Sequence, residues 1–217
     1  MASKSRALRV IEGGLPNHES GKAGVRPPHR AKNSDSRTRE YLTGQEVVDL
    51  IDAARKRGRW GYRDGALILI AYRHGLRVSE LVALKWSQVD FTNQHLAVVR
   101  RKNGKPSTHP LQGDEIRALR KLHGDAKGSQ FVFNSERGAP LTTRSVRYLI
   151  AEAGKAAALP FPVHPHMLRH GTGFKLANDG MDTRLIQDFL GHRSVQHTVR
   201  YTELAPGRFK DIDWGTW

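Results

Sequence analysis

Residues 65–75 read GALILIAYRHG, apolar around almost the whole circumference of a helix. Such a helix has no face to offer water, so it must be enclosed by other elements. Gly75 is suited to end it. The sequence supplies the enclosing elements. TGQE (43–46) is a capping box that opens a helix through VVDLIDAARK. Helical spacing recurs in VSELVALKW after Arg77, in 113–124, and in 142–158 behind a threonine cap. After the proline-rich break LPFPVHP come a helix ending at Gly180, another ending at Gly191, and a short one through VQHTVRYTEL stopped by Pro206. Between them, HLAVVRRKNGKPSTHPL predicts two short strands around KNGK, because Asn-Gly favours a tight hairpin. FVF (131–133) predicts a brief extended piece. The expected fold is mainly α with a small β-hairpin, an α+β class without internal repeats.

Charge narrows the partners. The 217 residues carry 36 Lys and Arg against 21 Asp and Glu, a net charge of +15. Such an excess suits a polyanion, most simply double-stranded DNA. The longest apolar run, 66–72, is far too short to span a bilayer, and no basic amphipathic helix suggests a membrane surface. MASKSRALRVIEGG lacks the apolar core of a secretory signal, so the expected location is the cytoplasm, in association with the bacterial nucleoid. The absence of cysteine excludes disulfides, Cys-ligated zinc and a thiol nucleophile. Residues 1–40, rich in Gly, Pro, Ser, Lys and Arg, read as a disordered basic tail, 41–205 as the folded domain, and 206–217 as a C-terminal tail.

Basic residues gather where helices start or chains turn. They are Arg77 in HGLRVSEL, Lys102 and Lys105 at the hairpin turn, His166 and Arg169 in HMLRH, and His192 in LGHRS. His166 and Arg169 are three apart, on one helix face near its N-terminus, where free N–H groups attract anions. Arg77 likewise precedes a helix. Two arginines can grip phosphate oxygens through paired hydrogen bonds, a lysine can protonate a leaving oxygen, and histidine can donate to phosphate. Tyr201, nine residues beyond His192, offers a hydroxyl able to attack phosphorus. These groups can balance the charge of an in-line phosphoryl transfer. No acidic cluster stands nearby for magnesium, so neither metal nor cofactor is expected. Each residue also has a plainer use: surface charge for Arg77, packing for Tyr201, a turn for His164, the core for His170, a helix surface for His197. Glu80 either braces Arg77 or faces solvent.

Taken in order, GLRVSEL (75–81), HMLRH (166–170), and LGH (190–192) followed by Tyr201 resemble the motifs of the tyrosine recombinase (phage integrase) family over residues 41–205. STHPL, HPHMLRHG, DTRLIQDFLGHR, HTVRYT and GRF are similar to the short recombinases that invert a fimbrial promoter switch. The larger members carry a core-binding domain ahead of the catalytic one; here about 40 tail-like residues stand in that place. The resemblance implies that Tyr201 is the nucleophile, forming a 3′-phosphotyrosyl link. Lys102, the better match than Lys105 for the hairpin lysine, is implied as general acid. Arg77 and Arg169 would clamp the non-bridging oxygens, His166 would assist proton transfer, and His192 would bind the phosphate. It further implies four protomers on paired DNA sites, with a DNA-bending accessory protein as an additional partner. Phe209, Trp214 and Trp217 are then candidate anchors on a neighbouring protomer. Two other readings use the same residues: a type IB topoisomerase-like nicking and resealing enzyme, and a DNA-binding regulator that does not cut.

Overall fold

In the computed structural model, described for residues 39–100, 105–126 and 128–203, the apolar segment becomes α2 (Gly61–Arg73), and eight of its thirteen residues are buried. Beside it lies α1 (Gly44–Arg55), whose Thr43 cap accepts from Glu46 N while the Glu46 carboxylate reaches back to the Thr43 backbone. Val47, Leu50, Ile51 and Ala54 form the stripe that α1 presents to the core. The helices α5 (Thr143–Ala156) and α6 (Pro165–Asn178) complete the enclosure: α5 packs on α1, and α6 on α2. Each buried Leu or Ile of this layer contributes roughly 1.5–3 kcal/mol relative to exposure.

The segment after Arg77 departs from the expected helix. The helix α3 (Val78–Leu81) is a single turn, followed by a 3-10 turn at Trp86–Gln88 and then a strand, β1 (Val89–Asp90). The Lys85 N–H donates to the Gln88 side chain, and the Trp86 N–H donates to the Gln130 carbonyl. Tertiary pairing thus ends the helix where local pattern would extend it. The hairpin is correspondingly a three-stranded antiparallel sheet. β2 (His95–Val98) pairs with β1 through Val89 opposite Leu96 and with β3 (Ser107–Pro110) through Leu96 opposite His109. The FVF piece is extended, bridging Lys85 to Phe131. α4 (Gly113–Asp125) packs on α2.

Three helices at the C-terminal end build a second, smaller core. α7 (Thr183–Leu190) is capped by Asp182, whose side chain accepts from Arg184 N and Leu185 N, and it ends at Gly191 in the left-handed region. α8 (Gln196–Glu203) returns across α6. Ala177, Ile186, Leu190 and Tyr201 are buried together with Phe174 and Phe189 against them. The α6 segment beneath this cluster contains Gly171 and Gly173. A Cβ on Gly173 would fall 2.6 Å from the Tyr201 ring, and one on Gly171 2.7 Å from the Leu42 carbonyl oxygen. Among the described residues no helix is long and apolar enough to cross a membrane. Residues 1–38, Lys102 and the segment with Phe209, Trp214 and Trp217 lie outside the described residues.

Gly75 occupies φ +55°, and a Cβ there would lie 2.5 Å from Leu190 Cδ2. Gly75→Ala should therefore cost about 1–3 kcal/mol in urea unfolding, with strain and overlap adding. Gly44→Ala, with nothing within 4 Å of the added methyl, should cost none.

Candidate functional site

The site forms around the turn His74–Arg77 that joins α2 to α3. Gly75's positive φ points two successive carbonyl oxygens, those of His74 and Gly75, toward the end of α7. Arg169, on the second turn of α6, donates from Nη1 to Gly75 O at 2.5 Å and from Nη2 to Leu190 O at 2.7 Å. Arg100, two residues beyond β2, donates to His74 O at 3.2 Å, to Gly75 O at 3.4 Å and to Phe189 O. Both guanidinium groups are buried, Arg169 at 3% and Arg100 at 5% exposure. Each bridges the 74–75 turn and the last residues of α7.

One carboxylate balances them. Glu80, 5% exposed, accepts from Arg77 Nη1 at 2.9 Å, from the Arg77 backbone N–H at 2.9 Å, and from Arg100 Nη1 at 3.0 Å. Burial alone would raise the Glu80 carboxyl. The Arg77 N–H and the Arg100 and Arg77 charges outweigh it and hold the group below its ordinary value. Three arginines around one carboxylate leave the cleft positive. Arg169 feels this directly: burial, then Arg77 and Arg100, lower it to about 9. An anion placed here would relieve that repulsion. Arg77, the most accessible of the three, owes its placement to Glu80, because α3 is too short to act as an anion-binding helix end.

The histidines and the tyrosine close the circuit. Gly191 ends α7 and leaves His192 with Nδ1 2.9 Å from Thr198 Oγ1, its ring stacked on Tyr201 at 6.3 Å between centroids. Burial, then Arg169 and Arg77, lower His192 to about 3, so its imidazole is neutral at ordinary pH. Tyr201 is 1% exposed, its ring lying on Gly173 with Phe174 edge-on at 5.1 Å. Its hydroxyl lies 2.8 Å from His170 Nδ1. Burial raises the phenol despite the nearby Arg200. Arg200 also contacts the His170 ring and pairs with Glu40 at 3.5 Å.

Of the residues expected from sequence, Arg77, Arg169, His192 and Tyr201 come together. His166 is exposed at the start of α6, its ring 6.0 Å from that of His170. Lys105 is exposed just before β3. His164 caps α6 and His197 is exposed on α8, as their plainer readings expected. Two residues went unrecognised. Arg100 stands in a run of basic residues, VVRRKNGK, with nothing in its local pattern to set it apart from Arg101. His170, assigned to the core, is half-buried and meets the Tyr201 hydroxyl; its place one residue after Arg169 was the available signal. Glu80 resolves in favour of the brace.

This helical fold with its arginine-lined cleft and C-terminal tyrosine is that of a tyrosine recombinase catalytic domain. The model described as "Phage integrase family" matches residues 40–208, and the chain belongs to that family. Type 1 fimbriae regulatory protein FimE of Escherichia coli (strain K12) is 43% identical over 180 residues, covering 80% of this chain and 90% of FimE. FimB of the same strain is 41% identical over 185 residues, covering 82% and 92%. Tyrosine recombinase XerC of Bacillus pumilus is 33% identical, covering 79% of this chain and 59% of XerC. Among solved structures, XerA recombinase superposes with TM-score 0.68 at 29% identity, over 85% of this chain and 64% of XerA. XerH bound to its difH substrate shares the fold, with TM-score 0.67 at 22% identity over 76% and 50%.

Three imidazoles, His109, His170 and His192, are lowered from 6.5 to about 3 in the folded protein, burial being the largest cause for each. The unfolded chain therefore takes up their protons first. Their stabilising contribution is complete above about pH 6.5 and is lost as pH falls toward 3. Urea unfolding at pH 7, 6 and 5 should show stability dropping with acid in a range where carboxylates do not yet titrate. Replacing any one of the three by Gln should flatten that slope.

Proposed function

We propose that the protein is a site-specific DNA recombinase that cuts and rejoins DNA through a 3′-phosphotyrosyl intermediate, without metal or ATP. The observation that carries this reading is the pairing of Arg77 and Arg100 with the Glu80 carboxylate, Arg169 held beside them on the Gly75 carbonyl, next to the stacked His192–Tyr201 pair. In the proposed reaction the Tyr201 oxygen attacks phosphorus, the bond to the 5′ oxygen breaks, and the departing oxygen takes a proton from Lys102. Arg77 and Arg169 stabilise the two non-bridging oxygens, where charge develops most in the transition state. His192 donates to the phosphate, and His166 assists removal of the proton that the Tyr201 hydroxyl loses as its oxygen bonds to phosphorus. The phosphotyrosyl diester conserves the energy of the broken bond, so a 5′-hydroxyl from the partner strand can reverse the chemistry and complete exchange.

Several features support the reading. The positive cleft suits a phosphodiester, and the relatives named above include recombinases and proteins regulating fimbriae. Double-stranded DNA carrying paired sites is the proposed partner, with four protomers in the working assembly and a DNA-bending protein assisting. Inversion of a DNA segment is the event that the likeness to FimE and FimB favours. Residues 1–40 are proposed as a basic arm along the phosphates, and 206–217 as a contact to a neighbouring protomer. Tyr201 is 1% exposed with its hydroxyl engaged, so attack requires α8 to shift the phenol toward the cleft.

Covalent capture tests the nucleophile. Detergent-denatured cells expressing the wild-type chain should yield protein-linked DNA at discrete paired sites, and Tyr201→Phe should yield none. Scattered adducts would instead indicate topoisomerase-like nicking. An unchanged biological effect of Tyr201→Phe would establish a regulator that does not cut. Arg169→Ala should slow cleavage about 10²–10³-fold while DNA affinity changes little, as gel-shift and single-turnover assays would show. Removing residues 1–40 should reduce the dependence of binding on salt, measured as the slope of log affinity against log salt concentration.

A further inference from the structure

His109, in the STHPL stretch of β3, is 2% exposed and takes no part in the reaction above. Its surroundings are specific. Its Nδ1 lies 3.2 Å from Nδ1 of His74, and its Nε2 lies 2.9 Å from Ser107 Oγ. His74 Nε2 in turn lies 2.9 Å from Glu115 Oε1, and the other Glu115 oxygen is 3.2 Å from Arg73. A carboxylate only accepts, so His74 carries its proton at Nε2. On its opposite side the His109 ring stacks on Phe189, with centroids 3.9 Å apart and planes at 23°.

These two neighbours are the ones that hold the buried arginines. His74 and Gly75 supply the carbonyl oxygens on one side of Arg100 and Arg169. Phe189 and Leu190 supply those on the other. His109 touches both segments, one through a hydrogen bond and the other through its ring face. One imidazole thus lies against both of the segments that carry the two carbonyl pairs. A guanidinium fixed at both ends by short hydrogen bonds turns when either end moves, and its remaining N–H groups turn with it.

We propose that His109, paired with His74, is a positioning residue for Arg169 and Arg100, spacing the two carbonyl pairs that aim these guanidinium groups. This rests on the recombinase reading of the cleft. No other single residue type combines the two contacts so simply. Phenylalanine would keep the stack and lose the bond to His74, whereas asparagine would keep a polar group and lose the stack.

The test uses the full chain and a duplex carrying the sequence at which the wild-type protein is captured covalently. The scissile group is either the natural phosphate or a methylphosphonate, which lacks one non-bridging charge. His109→Phe and His109→Asn are compared with wild type for adduct formation in single turnover, DNA affinity by anisotropy, and melting temperature. Cleavage of the phosphate by folded variants should slow about 10–100-fold with affinity within about twofold, since small misplacements cost this much. On the methylphosphonate, where less depends on aiming the arginines, the defect should shrink to about threefold or less. A variant that cleaves the phosphate at the wild-type rate, or is slowed equally on both substrates, would overturn the positioning role. Should both variants fail to fold, nitrogen-15 spectra of the wild-type histidines decide. A proton shared between the two Nδ1 atoms is expected, and two independent rings would overturn the pairing on which the role depends. A wild-type chain that forms no Tyr201 adduct on any DNA would refute the recombinase reading itself, a different failure from an insensitive His109.

Discussion

Two buried guanidinium groups donate to a single carbonyl oxygen, that of Gly75, and most of the site hangs on this shared acceptor. It exists because Gly75 adopts a positive φ that a side chain would resist. The acceptor ties α6 and β2 to the end of α2, and the same guanidinium groups reach on to the end of α7. Removing two arginine charges from water is costly, and one carboxylate, Glu80, compensates for only part of it. The remaining imbalance leaves the cleft positive, so the contacts that hold these segments together also leave a repulsion that an anion would relieve.

Tyr201 combines two uses that the sequence alone leaves open. It packs: its ring fills the space above Gly173 within the small α6–α8 core. It is also chemically placed, with His192 on its face and His170 at its hydroxyl. Burial raises the phenol and lowers both imidazoles, so all three are neutral in this arrangement. A hydrogen bond from a neutral phenol to a neutral imidazole holds the hydroxyl without activating it. The positive charges that reach the phenol come from Arg200 beside it and from Arg169.

Much of this was legible in the chain. The all-round apolar segment, the Thr43 capping box, and the glycines at 75 and 191 each act through local physics, and each element forms where that physics places it. Arg77, Arg169, His192 and Tyr201 were recoverable because short stretches with fixed spacing carry them. What escaped depends on contacts between distant residues. β1 exists because β2 lies beside it, and α3 stops after one turn because the following backbone pairs elsewhere. Arg100 is distinguished from Arg101 only by the carbonyls it meets, and His170 only by α8 returning over α6.

The glycines of α6 have a mechanical side. Gly171 and Gly173 give this helix poor intrinsic stability, each weakening it by about 1 kcal/mol relative to alanine. Its rigidity is borrowed from what covers it: the Leu42 backbone, the Tyr72 ring and the Tyr201 ring. The same helix carries His166 and Arg169. Were the phenol to leave its seat, the helix would lose part of its cover at that moment. The stiffness of the helix that bears Arg169 and the position of the phenol are therefore one variable, like the tension of a string and the place of the finger that stops it.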